Sequence, residues 1–133
     1  MRGIFVTGTG TEVGKSVVSA SICAALAARG KKVAAYKPVV TGIADEGGDG
    51  WPPDHELLAS VATAGQSPKD VAPIQFEPPV SPHHAAELAG KQIEPRDLVE
   101  GARKAGGALP LDDWLEEAEP AAAPGGLEPG PAA

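Results

Sequence analysis

Nine consecutive residues carry the densest chemical signal in the chain: Gly8-Thr9-Gly10-Thr11-Glu12-Val13-Gly14-Lys15-Ser16. A glycine-rich turn of this kind points successive backbone N–H groups inward, and the helix start that follows adds positive potential. Such a cradle suits phosphate. Lys15 would reach the β- and γ-phosphates, and the Ser16 hydroxyl would ligate Mg²⁺. The strict phosphate-loop pattern places four residues between its two glycines, whereas five separate Gly8 from Gly14. A glycine-rich turn with an accidental Gly-Lys-Ser is the competing reading. Two further charges matter. Lys37 reads either as a solvated charge past a strand or as a second cation on the sheet edge that carries the loop. Asp54 reads either as an acid favoured by a helix dipole or as a second carboxylate near Mg²⁺.

These residues need elements to position them. Gly3 to Thr7 is predicted as a short buried strand, Gly8 to Gly14 as the turn, and Lys15 to Arg29 as a helix. Val18, Ile22 and Leu26 are spaced to form its inner face. Gly30 sits at the position of a left-handed C-cap, and Lys32 to Tyr36 reads as a second strand stopped by Pro38. One βαβ unit implies a parallel sheet. In an open parallel sheet, ligands lie outside the carboxyl ends of the strands, so Lys15 and Lys37 are expected on one edge. Pro53 to Ala64, Pro82 to Ala89 and Pro95 to Ala105 read as helices, and Ile74 to Phe76 as a short strand. The expected class is α/β: a parallel sheet of two to three strands with flanking helices.

Composition divides the 133 residues unequally. All 11 basic residues and 12 of the 18 acidic ones lie in 1–104, so 105–133 supplies six of the net seven negative charges. Residues 1–105 are expected to form a partial ATP-binding domain, and 106–133 an Ala/Gly/Pro-rich acidic tail too poor in apolar surface to fold. A helical turn or two around Trp114 and Leu115 is conceivable between Asp112 and Glu119. The acidic balance argues against nucleic acid, and no apolar run reaches the ~18 residues of a membrane span. The single cysteine, Cys23, excludes an internal disulfide and reads as buried and inert; a cytoplasmic location fits. His83 and His84 read as packing residues.

The loop, then Tyr36-Lys37-Pro38-Val39-Val40-Thr41-Gly42, then Asp54, then Ser81-Pro82-His83 together resemble dethiobiotin synthetase, over residues 1 to about 105. The five-residue interval in the loop is a mark of that family, and Lys-Pro-Val-x-Thr-Gly is its most discriminating segment. The resemblance implies a P-loop NTPase-like fold and a cytoplasmic homodimer acting in biotin biosynthesis. It also implies a ligase reaction: ATP-dependent ring-closing carboxylation of 7,8-diaminononanoate with CO₂. By position it implies Lys37 as the active-site lysine and Glu12, Val13, Gly14, Lys15, Ser16, Val17 and Asp54 as ATP-site residues. Ser16 and Asp54 would hold Mg²⁺, and Thr11 and Thr41 would contact substrate. Gly10 stands where the family often has Asp.

The family's later strand ending in Glu-Gly-x-Gly-Gly has no counterpart after Val99, and Glu100-Gly101 reads as part of the preceding helix. The chain as written is therefore expected to be a poor enzyme. A non-catalytic phosphate-binding remnant and a partition-type ATPase remain as other readings.

Overall fold

The computed structural model describes residues 3–10, 13–43 and 50–107. Thr11, Glu12 and the tail beyond Gly107 lie outside the described residues. Seven elements follow in order: α1 (Lys15–Ala28), β1 (Val39–Thr41), α2 (Asp54–Val61), α3 (Pro68–Val71), β2 (Ile74–Phe76), α4 (Pro82–Leu88) and α5 (Pro95–Gly106). The two strands pair in parallel, with Val39 opposite Ile74 and Thr41 opposite Phe76. The α2–α3 crossover joins them, giving the expected α/β parallel architecture.

Helix α1 forms as its sequence indicates. It closes on Gly30 at φ 72°, with Gly30 N–H donating to Ala27 O and Lys31 N–H to Leu26 O. That pair of bonds is the Schellman pattern, which satisfies carbonyls left open at the last turn. Its inner face differs from the expected one. Ala20 and Cys23 are buried, whereas Val18 is 51 % exposed. The cause is α2, which packs on the side of α1 carrying Ser16, Ala20 and Cys23, at i, i+4 and i+7. Burial pushes the Cys23 thiol pKa up, which keeps it protonated and unreactive.

Two expected strands are not strands. Gly3–Thr7 has no regular structure and exposes Ile4 and Phe5. A strand requires a neighbour's N–H and C=O groups, and none among the described residues pairs with it. Lys32–Tyr36 likewise forms no strand; side chains bind its peptide groups. Gln66 accepts from Ala35 N–H at 2.8 Å and donates to Ala35 O at 2.9 Å. Thr63 Oγ1 accepts from Val33 N–H and donates to Lys31 O. The paired ladder begins only at Lys37, whose N–H reaches Val71 O, and continues with Ile74 N–H to Pro38 O. Lys37 therefore precedes β1 rather than following a strand.

The same contacts shorten α2. Thr63 N–H and Ala64 N–H both donate to Val33 O, so the chain leaves the helix at Ala62. Helix α3 was not anticipated. It rests on a capping box in which Ser67 accepts from Asp70 N–H and Asp70 accepts from Ser67 N–H, with Pro68 at the first helical position.

The core is thin and split. Ala20, Cys23, Ala35, Leu58 and Val71 form one cluster under α1 and α2; Phe76, Ala85 and Ala86 form a second between the sheet and α4. Alanine supplies half of these eight residues, so each cluster buries little apolar area and gains little from it. No helix among the described residues is long and apolar enough to cross a membrane.

Helix α5 docks on a single aromatic. Tyr36 Oη donates to Leu98 O at 2.9 Å, and a Cβ at Gly101 would overlap that hydroxyl and lie 2.7 Å from Cζ. Glycine inside an exposed helix normally costs about 1 kcal/mol against alanine. Here the sign is expected to invert. Gly101→Ala should lower stability in urea by about 1–3 kcal/mol through overpacking; a gain in stability would place α5 elsewhere.

Candidate functional site

Two side chains from separate parts of the chain meet at one carboxylate. Asp54, the first residue of α2, accepts from Ser16 Oγ at 2.6 Å and pairs with Lys37 Nζ. Lys37 Nζ also donates to Ser16 Oγ at 3.1 Å. Ser16 is the second residue of α1, and Lys37 lies on the run between Tyr36 and β1. Lys15 Nζ instead turns to Gly10 O, and neither lysine follows a strand, so strand ends do not place the two on a shared edge here.

Burial works to raise the Asp54 pKa. Hydrogen bonds from Lys37 and Ser16, then the charges of Lys37 and His55, outweigh it and hold the carboxyl below its usual range. Asp54 also stands in the first turn of α2, where the helix dipole favours an anion. The two readings of this residue are therefore compatible in one geometry.

The loop ahead of Ser16 is drawn tight. Gly14 adopts φ 88°, and Val18 N–H to Gly14 O is the first helical bond. The N–H groups of Lys15, Ser16 and Val17 remain at the open end of a helix that carries no acid in its first turn. Lys15 folds back over the loop, its Nζ donating to Gly10 O. A Cβ at Gly8 would lie 2.9 Å from Val13 Cγ2 and 3.2 Å from Lys15 Cδ, so a side chain there would displace both. Val13 and Val17 are about half exposed beside the loop. Positive potential, the helix-start amides and a lysine at the loop favour an oxyanion such as phosphate.

Ser16 Oγ and Asp54 Oδ2 are hard oxygen donors within one hydrogen bond of each other, the donor chemistry Mg²⁺ takes when substrate oxygens and water complete its octahedron. Thr41 ends β1 four residues beyond Lys37, roughly 13 Å along extended chain. Among the described residues no side-chain hydrogen bond ties it to the cluster. Thr11 and Glu12 lie outside the described residues. His83 and His84 both lean on Glu87 at an exposed face of α4, at 3.2 and 3.5 Å. Glu100 and Gly101 lie inside α5.

Sequence reasoning missed Gln66 and Thr63, which grip the run that carries Lys37. A lone amide in a linker gives no pattern from which such a grip can be read.

A family model described as an AAA domain matches residues 2–112. The chain belongs to that AAA-domain family. It is homologous to the N-terminal part of proteins named ATP-dependent dethiobiotin synthetase. The protein of that name from Bacillus subtilis strain 168 is 37 % identical over 99 residues, 74 % of this chain and 42 % of the relative. That from Marinobacter nauticus is 42 % identical over 96 residues, 71 % of this chain and 41 % of the relative. That from Ralstonia nicotianae is 34 % identical over 134 residues, 91 % of this chain and 58 % of the relative. The chain thus spans well under two thirds of the length of these relatives.

The Asp54 contacts predict a pH signature. A carboxyl with a lowered folded pKa contributes stability that is present above its ordinary range and lost as pH falls through the lowered value. The side chain is 43 % exposed, so solvent screening keeps the contribution to about 0.5–1 kcal/mol. Between neutral pH and about pH 3 the parent should lose that much more stability than Asp54→Asn in parallel urea melts. Equal losses would contradict the pairing.

Proposed function

We propose that this chain is the nucleotide-binding part of a dethiobiotin synthetase, a ligase that closes the urea ring of dethiobiotin at the expense of ATP. The observation that carries this reading is the meeting of Ser16, Lys37 and Asp54 beside the glycine-rich loop. The name borne by the relatives supports it.

In this reading the loop and the start of α1 bind the phosphates, with Lys15 turning from Gly10 O to a phosphate oxygen. Glu12 to Val17 line the ATP site. Ser16 and Asp54 would hold Mg²⁺, which when bound supplies charge neutralisation at the β- and γ-phosphate oxygens. Lys37 faces the transferring end. The substrate amine adds to CO₂ to give a carbamate, whose oxygen takes the γ-phosphoryl group with release of ADP. The second amine then attacks the carbonyl carbon, and phosphate leaves as the ring closes. The Lys37 ammonium stabilises negative charge on the carbamate and on the phosphoryl oxygens, a role for a fixed donor worth roughly 10²–10³ in rate. Thr11 and Thr41 orient the diamine, and a second copy completes a homodimer.

Binding tests the reading without needing turnover. Lys15→Ala should weaken a non-hydrolysable ATP analogue by about 1.5–3 kcal/mol in calorimetry, the value of charge-assisted bonds. Affinity within about a factor of two of the parent would sink the loop assignment. In a catalytically competent form, Lys37→Ala should retain Mg-ATP affinity and lose turnover by roughly 10²–10³-fold. Retained turnover with lost nucleotide binding would reverse the two lysines.

A further inference from the structure

The Lys37 ammonium sits on the same two oxygens that the proposed function assigns to a divalent cation. Nζ pairs with Asp54 Oδ2 and donates to Ser16 Oγ at 3.1 Å, while Ser16 O–H donates to that same Asp54 oxygen at 2.6 Å. One serine lone pair and the Oδ2 oxygen of Asp54 are already engaged. A divalent ion and an ammonium cannot share them, because like charges at contact distance repel strongly in a half-buried site.

We propose that Lys37 is the built-in counter-ion of the Ser16–Asp54 pair, and that this lysine and a divalent cation bind there in exchange. The inference rests on the reading of Ser16 and Asp54 as metal ligands. The backbone around Lys37 is pinned on both sides: Ala35 by Gln66, Lys37 N–H by Val71 O, and Pro38 O by Ile74 N–H. The Lys37 side chain is 33 % exposed, so it has open space to turn into. Exchange is therefore a side-chain rotation about a fixed backbone. The displaced ammonium needs a new anion, and a nucleotide's terminal phosphate supplies one. Metal and nucleotide thus bind with positive coupling, each relieving a cost that the other meets. Until the metal arrives, Lys37 keeps Asp54 compensated.

Mn²⁺ alone, titrated into the full chain and followed by the electron paramagnetic resonance of the free ion, tests the exchange. Lys37→Met should bind Mn²⁺ on the order of tenfold more tightly than the parent without nucleotide, since a competing cation is gone. It should also lose most of the gain in Mn²⁺ affinity that an ATP analogue gives the parent. Unchanged or weaker Mn²⁺ binding by a folded Lys37→Met overturns the proposal. Asp54→Asn separates the two ideas: tight Mn²⁺ binding by that variant would overturn the metal-ligand reading itself. If Lys37→Met fails to fold, the parent still decides. Modification of Lys37 by an amine-selective reagent, read by mass spectrometry, should rise when saturating Mn²⁺ is added without nucleotide. An unchanged rate overturns the exchange.

Discussion

The Asp54 carboxylate is the point on which the site's geometry depends. One oxygen accepts from the start of α1 through Ser16 and from the run before β1 through Lys37, while Asp54 itself opens α2. Three segments far apart in sequence are therefore registered at one atom. Packing alone specifies the arrangement weakly, because the buried cluster between α1 and α2 is small, with Leu58 and Val71 its largest aliphatic side chains beside Ala20, Cys23 and Ala35. Such small side chains bring α1 and α2 close together without specifying their relative height. The polar contact at their shared edge supplies that specification, and it also makes the site sensitive to what binds there.

Support for this arrangement comes from the second layer of the fold. The run carrying Lys37 has no full strand neighbour until Pro38. Gln66 and Thr63 bind its peptide groups instead, so the backbone's polar groups are met by side chains from the α2–α3 connection. Ser67 and Asp70 close the next helix immediately afterwards. A connection that would otherwise be a loose crossover thus performs the work of a missing ladder. On the other side, Ile4 and Phe5 stand exposed on a segment without regular structure, the pattern of a strand with no neighbour among the described residues.

The sequence made some of this legible and left the rest obscure for identifiable reasons. Helix α1, its Gly30 cap and the proline-led starts of α4 and α5 were readable because local chemistry decides them. Ser16, Lys37 and Asp54 were readable as candidates because their residue types and spacing fit phosphate chemistry. Sheet topology suggested only a shared edge, and the contact among the three is made without the expected strands at 3–7 and 32–36. Strand formation needs a partner, and a partner is not a local property. The inner face of α1 was misassigned for a similar reason: Val18, Ile22 and Leu26 are more apolar than Ala20 and Cys23, but burial is decided by where α2 lies. The Ser67–Asp70 capping box was present in the sequence as Ser-Pro-Lys-Asp and passed unnoticed. Gln66 gave no signal at all.

The central claim is that the loop, Ser16, Lys37 and Asp54 form one phosphate-binding site. Amide and lysine side-chain resonances of the isotope-labelled chain, followed while Mg²⁺ and a non-hydrolysable ATP analogue are added, test it most directly. The account predicts saturable shifts at Gly8, Gly10, Gly14, Lys15, Ser16, Lys37 and Asp54, with His83 and Glu87 on α4 unmoved. Shifts confined instead to the cleft between β2 and α5, around Lys69, Lys91 and Asp97, or no saturable shift in the loop, would contradict it.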